Sequence, residues 1–248
     1  MTGTIINVAA ILTGGILGIL FGSRFPERVR QTIVAGLGLF VIGIGLQMFL
    51  KTTNPLIVLG SLLFGCILGE WLRIEDGLKW LGNTIQQKYM PQETGITGQD
   101  PVDPILPARS SRFTRGFLTA SLLFCIGPMA ILGSIQDGLT GDYHLLAIKS
   151  ILDGFASLAF ASSLGAGVLF SSLIILIYQG GLSLLAAQAQ ALTNQAMMNE
   201  LTATGGILLV GIALSSLLEI KQIRMGSFLP ALLVAPILVA ILQAFHWM

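Results

Sequence analysis

Leu145-Leu146-Ala147-Ile148-Lys149-Ser150-Ile151-Leu152-Asp153-Gly154-Phe155-Ala156-Ser157-Leu158-Ala159-Phe160-Ala161 is apolar enough to cross a bilayer, yet it carries a lysine and an aspartate. An ionisable group in hydrocarbon costs a few kcal/mol at the least, so it requires a partner or a purpose. The i, i+4 spacing of Lys149 and Asp153 puts both on one helix face, where they can pair. At a rise of about 1.5 Å per residue, Asp153 falls close to the bilayer centre. Lys149 lies nearer the interface and can snorkel toward it. Asp153 has no such escape and must be paired, protonated or wet.

The surrounding chain places that segment among others like it. Of 248 residues, 54% are hydrophobic and only 10% charged, where a soluble domain has about 25% charged residues. Mean hydropathy is +0.84. Lipid is therefore the main solvent, and residues 1–248 read as a single integral membrane domain, an all-α polytopic helix bundle. About eight spans of near 20 residues are expected: Gly3–Gly22, Gln31–Leu50, Pro55–Leu72, Phe113–Gln136, Leu145–Ser163, Gly167–Gln188, Gly205–Ile220 and Phe228–Phe245. The fifth and sixth are divided at Gly165-Ala166-Gly167, where small residues allow a hairpin. Without that division the count falls to seven.

Charge bias favours eight. Arg24, Arg28, Arg30, Arg73, Lys79, Lys88, Arg109, Arg112, Arg115, Lys221 and Arg224 then share one side, Lys51 stands alone on the other, and Lys149 lies within a span. Cytoplasmic loops carry the excess of Lys and Arg, so both termini are expected outside the cytoplasm. Met1-Thr2-Gly3-Thr4-Ile5 lacks the positive region of a signal peptide, so the first run is expected to be a retained span.

One connection is long. Ile74, Leu78, Leu81, Ile85 and Tyr89 make a helical stripe within 73–90, and Trp71 and Trp80 suit the headgroup region. This reads as an amphipathic helix on the cytoplasmic membrane surface, with a partner-binding helix as the alternative. Pro91, Gly95, Gly98, Pro101, Pro104 and Pro107 make 91–112 a flexible linker. Gly14, Gly18 and Gly22, and likewise Ser61, Gly65 and Gly69, recur every fourth residue, a spacing that lets helix backbones approach within the bundle or in a homo-oligomer. Cys66 and Cys125 fall in apolar runs and read as packing residues rather than a disulfide.

The span before the charged one holds Gly127-Pro128 in mid-run. Proline has no N–H and clashes with the carbonyl four residues earlier, so the helix kinks or breaks there, at about the depth of Asp153. A broken helix beside a buried charge is how many secondary transporters build a midplane site. Asp153, Lys149, Gly127, Pro128, Ser121, Cys125, Gln136 and Ser150 are the candidate residues for binding a substrate or ion. Ser134, Ser157, Tyr178, Gln179, Asn7 and Gln47 are further polar residues within spans. The plainer reading is that Lys149 and Asp153 form a neutralised pair fixing helix orientation and that Gly127-Pro128 is a kink. Glu70 and Glu219 read as interfacial or gating residues, and Asp137, Asp142 and His144 as a solvated turn or a cation-attracting entrance.

Neither a phosphate loop, nor H-E-x-x-H, nor G-x-S-x-G occurs, and His144 and His246 alone make no histidine-rich metal site. No enzyme activity, metal or cofactor is expected, and no basic, aromatic-interleaved patch suggests nucleic acid. Gly3-Thr4-Ile5-Ile6-Asn7, Gly65-Cys66-Ile67-Leu68-Gly69-Glu70, the run Thr119–Gly138 with Phe124-Cys125-Ile126-Gly127-Pro128-Met129 at its heart, and Lys149-Ser150-Ile151-Leu152-Asp153-Gly154-Phe155 resemble the uncharacterised bacterial YqgA/YdfK-like membrane proteins. That resemblance implies a polytopic inner-membrane protein and assigns no site residues. The functional expectation is a secondary transporter or permease for a small polar solute or ion. The alternative is a non-transporting membrane scaffold or interaction protein. A channel lacks an evident ring of charges.

Overall fold

The computed structural model describes residues 1–22, 26–89, 112–189 and 194–244. Among them every regular element is helical, as lipid requires of a chain whose backbone must satisfy its own hydrogen bonds. In order they are α1 (Thr2–Gly22), α2 (Glu27–Phe49), α3 (Pro55–Trp71), α4 (Ile74–Tyr89), α5 (Arg112–Cys125), α6 (Pro128–Thr140), α7 (His144–Leu164), α8 (Gly167–Leu184), the short α9 (Ala186–Ala189), α10 (Gln195–Ile212) and α11 (Ala231–Ala244). A π-helical turn, Ala213–Leu217, continues α10, and a 3₁₀ turn, Met225–Phe228, precedes α11. Among the described residues six helices are long and apolar enough to cross a membrane alone, or up to eight spans if each of two bent pairs counts as one. Those pairs are α3 with α4, bent by 55°, and α5 with α6, bent by 63°.

Small residues set the register of the bundle. A Cβ on Gly14 would lie 2.1 Å from the Gly154 carbonyl oxygen, one on Gly18 2.3 Å from that of Leu158, and one on Gly22 2.3 Å from that of Ser162. The contacts advance in step, so α1 and α7 run in the same direction with backbones touching, and they form the most extensive helix pair of the described structure. Ser61, Gly65 and Gly69 make the matching stripe on α3: Gly65 meets Ala231 and Gly69 meets the Ser227 carbonyl. Here the numbers run oppositely, so α11 is antiparallel to α3. Gly45 and Gly206 do the same for α2 and α10. Both stripes named in the sequence thus pack within the chain.

Most of the described basic residues, Lys51 and Lys149 apart, gather at one end. Arg112, opening α5, donates to the Ser163 carbonyl at the close of α7, Arg115 pairs with Glu219, and Arg224 bridges Glu70 and Asp76 at 3.0 and 2.6 Å. Glu70 and Glu219 are thereby ion-paired at this basic end. Gly165, at φ +82°, turns α7 into α8 there, which is the division the small residues suggested.

One boundary differs clearly from the sequence reading. The seventh span begins at Gln195, ten residues before Gly205, because the stretch through Glu200 is helical and buries Met197, Met198 and Glu200. The fourth span breaks at Gly127-Pro128, as the proline there allowed, into α5 and α6. The 73–90 helix forms over Ile74–Tyr89 and is tied down: Thr114 donates to Asn83, and the Glu75 carboxylate accepts from the Gly226 N–H at 2.6 Å. Trp71 and Trp80 stay largely exposed. Of the linker read at 91–112, only Arg112 lies within the described residues.

Candidate functional site

The charged face of α7 turns inward. Lys149 and Asp153 are 6% and 7% exposed, and ammonium and carboxylate are in direct contact. Asp153 sits near the middle of α7. Its Oδ2 also accepts a 3.0 Å hydrogen bond from Asn7 Nδ2 of α1. The same Nδ2 donates to Gln179 Oε1 of α8 at 3.2 Å. A carboxylate only accepts, so the Asn7 amide can be turned in one way, and that fixes Gln179 with its oxygen inward. Glycine contacts between α1 and α7 make the arrangement possible, since Gly154 follows Asp153 and touches Gly14. Ser157, a turn further on, ties α7 to α1 through the Ile11 carbonyl at 2.7 Å.

The interrupted helix faces this network. Gly127 has φ +145°, a conformation open essentially to glycine alone, and α6 starts at Pro128. With proline four residues on, the Phe124 carbonyl has no intrahelical N–H to meet. Cys125, the last residue of α5, is buried and within electrostatic reach of both Lys149 and Asp153. Ser121 lies one turn earlier on the same face. A Cβ on Gly127 would meet nothing within 4 Å, so the break leaves open space.

Several polar atoms near this layer are buried without a hydrogen-bond partner among the described residues: Asn7 Oδ1, Gln179 Nε2, Ser121 Oγ and Thr4 Oγ1. Thr4 and Asn7 share one face of α1. Buried polar groups are nearly always hydrogen-bonded, so a cluster of unsatisfied ones marks a place where a partner from outside the chain would be favoured.

Other sequence candidates fall differently. Ser150 bonds the Leu146 carbonyl of its own helix. Gln136 is exposed, and this corrects its inclusion: the α6 rotation that buries Asp137 turns Gln136 outward. Asp137 accepts from the Gly3 N–H at 3.0 Å and so caps the start of α1. Ser134 Oγ is buried, and its carbonyl accepts from Ser183 of α8. Asp142 and His144 are exposed in the α6–α7 turn. The His144 backbone N–H, and then its ring, hold the Asp142 carboxyl below the usual range.

The sequence reading also passed over a fully buried acid. Glu200 of α10 is fully enclosed and accepts from Thr52 Oγ1 at 2.6 Å, Thr53 N at 2.8 Å, Thr53 Oγ1 at 2.9 Å and Asn54 N at 3.1 Å. It stitches α10 to the turn between α2 and α3. The signal was present as Lys51-Thr52-Thr53-Asn54 beside an acid in an apolar region, but nothing local joins residues so far apart in the chain.

Two cavities lie at opposite ends of the bundle. At the basic end about 420 Å³ is lined by Gln31, Val34, Arg112, Arg115, Ser163 and Glu219, among others. At the far end about 250 Å³ is lined by Lys51, Met129, Leu132, Leu145, Met198 and Thr202, among others. Leu145 is one helical turn, about 6 Å, from Lys149, and Met129 is the second residue of α6, after the Gly127 break. Among the described residues no group of three or more His, Cys, Asp or Glu is placed to hold a metal ion.

Comparison with known proteins supports the architecture without naming an activity. The chain is 36% identical over 234 residues to the uncharacterized protein YqgA of Escherichia coli, covering 94% of each chain. It is 29% identical over 249 residues to the uncharacterized membrane protein YdfK of Bacillus subtilis, covering 99% of this chain and 98% of that one. No solved structure matches. Residues 2–240 match the protein family of unknown function DUF554, and this polytopic, all-helical membrane protein belongs to that family.

Proposed function

We propose that the protein is a secondary transporter or permease for a small polar solute or ion, with Asp153 at its binding site. The observation that carries this reading is the juxtaposition, in mid-bundle, of a Lys149–Asp153–Asn7–Gln179 network with a helix broken at Gly127. Half-helix ends and freed carbonyls beside a buried charge suit a transient polar guest. Cavities lie at opposite ends of the bundle, and neither is lined by Lys149 or Asp153. By the excess of Lys and Arg, the basic end faces the cytoplasm of a bacterial inner membrane and both termini face outward.

One observation favours the alternative of a non-transporting scaffold: the ion pair is enclosed and hydrogen-bonded, as a helix-locking pair would be. The unsatisfied amide and hydroxyl groups around it weigh the other way. The deciding experiment is solute counterflow in proteoliposomes, run over a panel of inorganic ions, amino acids and small organic acids. Asp153→Asn is expected to insert and fold, yet abolish the flux that wild type adds over protein-free vesicles. Flux unchanged in that variant overturns the reading.

A further inference from the structure

Charge balance at the Lys149–Asp153 pair restricts what can bind there. Removing one partner from a buried ion pair leaves an uncompensated charge, at a penalty of several kcal/mol. A neutral solute gives no compensation for separating the two. A lone cation on Asp153 leaves the Lys149 ammonium unpaired beside a second positive charge. The other charged groups of the fold do not help. From α1 the pair faces Asn7, which is neutral. From α5 it faces the Cys125 thiol, and from α8 the Gln179 amide of the same network, with the Tyr178 phenol next to Cys125. Thiol and phenol are uncharged near neutral pH at their ordinary values. Asp137 and Glu200 are held elsewhere by their own donors.

Resting on the transporter reading above, we propose that the guest is a small monovalent cation, taken up at Asp153 in exchange for one proton from Lys149. The step balances: Lys149 as ammonium with Asp153 as carboxylate, plus a cation, gives neutral Lys149 amine and a cation–carboxylate pair, plus one released proton. No net charge is added to the buried layer. The ammonium N–H bond breaks, its electron pair stays on Nζ, and the proton leaves toward the cavity that Leu145 lines one turn away. Oxygen donors for a hard cation stand beside the carboxylate. Asn7 Oδ1 is buried without a partner on the amide that touches Asp153, and Gln179 Oε1 is held next to it. An ion, rather than a zwitterionic organic solute with both charges, fits the space: the two side chains are in contact, and neither cavity is lined by them.

One-for-one exchange has a binding signature that requires no transport. Cation affinity rises with pH, so the apparent Kd falls about tenfold per unit of pH gained when one proton leaves for each cation bound, by linkage. The test uses purified full-length protein with NaCl, LiCl or KCl against choline chloride, read by thermal shift from pH 6 to 9. Proteoliposomes enclosing a pH dye give the flux, with and without a voltage clamp. Wild type is expected to bind at least one of these cations with the stated pH slope. An inward gradient of that cation should alkalinise the lumen and be indifferent to the clamp. Lys149→Gln should bind with no pH slope and lose proton coupling, and Asp153→Asn should lose binding. The neutral double variant K149Q/D153N, free of any unpaired charge, should fold and bind nothing. Binding without a pH slope in wild type, retained coupling in Lys149→Gln, or an amino acid moved with no cation-driven pH change each overturns the exchange. The last of these leaves the transporter reading standing, whereas a wild type that moves no member of either panel overturns both.

Discussion

Asn7 of α1 donates to Asp153 of α7 at 3.0 Å, joining residues 146 positions apart at the centre of the bundle. This bond, more than the i, i+4 pair itself, makes Asp153 part of a site, because it links the charged helix to two others through Gln179. Asn7→Leu removes the donor to a buried carboxylate and strands the Gln179 oxygen. A hydrogen bond to a charged group contributes about 1.5–3 kcal/mol, so Asn7→Leu is expected to lower the Tm in detergent clearly. Gln179→Leu, which deletes a neutral bond, should lower it less. An unchanged Tm in Asn7→Leu would show that the bond adds nothing to stability.

Gly14 is the tightest point between α1 and α7. Gly14→Val must separate the helices, since the added Cβ would meet backbone rather than a yielding side chain. The expected result is loss of folded, monodisperse protein, with a penalty above about 3 kcal/mol. Gly36→Ala, whose Cβ meets nothing within 4 Å, should change stability by no more than about 1 kcal/mol. Equal behaviour in size-exclusion chromatography would contradict this packing.

Gly127 separates room from conformation. Its Cβ direction is empty, yet its φ of +145° excludes side chains. Gly127→Ala is expected to cost about 1–3 kcal/mol through backbone strain alone and to reduce flux in proteoliposomes. Pro128→Ala supplies the N–H that a continuous helix would donate to the Phe124 carbonyl, and should raise thermal stability while impairing flux. Wild-type flux in both variants would remove the break from the mechanism.

Glu200 and Thr52 are expected to be energetically coupled. Glu200→Ala deprives two hydroxyls and two backbone N–H groups of their acceptor, for a loss of about 2–3 kcal/mol. Glu200→Gln keeps an acceptor and should lose less. A double-mutant cycle with Thr52→Val should return a coupling of about 1 kcal/mol, and a cycle that is additive within error would refute the contact.

Orientation can be read chemically. In a Cys66→Ser, Cys125→Ser background, Lys51→Cys should react with a membrane-impermeant maleimide in intact cells. Arg224→Cys should react only after permeabilisation. The reverse pattern inverts the assignment of the basic end to the cytoplasm.

Much of the fold follows from local chemistry in the chain. Long apolar runs with few charges become helices because lipid leaves the backbone no other partner. Gly165 marks a hairpin and Gly127-Pro128 a break through conformational rules that act within a few residues. The every-fourth-residue stripes announced close packing, and Lys149 with Asp153 announced a pair, since both depend only on helical periodicity. Gln136 went astray for the same reason that Asp137 was undervalued: neighbours on a helix point about 100° apart, and rotation is not encoded in one span alone.

What the tertiary structure decided is which helix meets which. Gly14 could have packed against any small surface, and it is Gly154 that receives it, which brings Asn7 to Asp153. Glu200 lies outside the span read at Gly205–Ile220, and only the fold closes Thr52, Thr53 and Asn54 over it. Sequence determines periodicity, breaks and the sign of each end, because those interactions lie within a few turns. Helix rotation and partner choice emerge only when all the helices compete for the same small-residue surfaces, and there the polar layer around Asp153 was assembled.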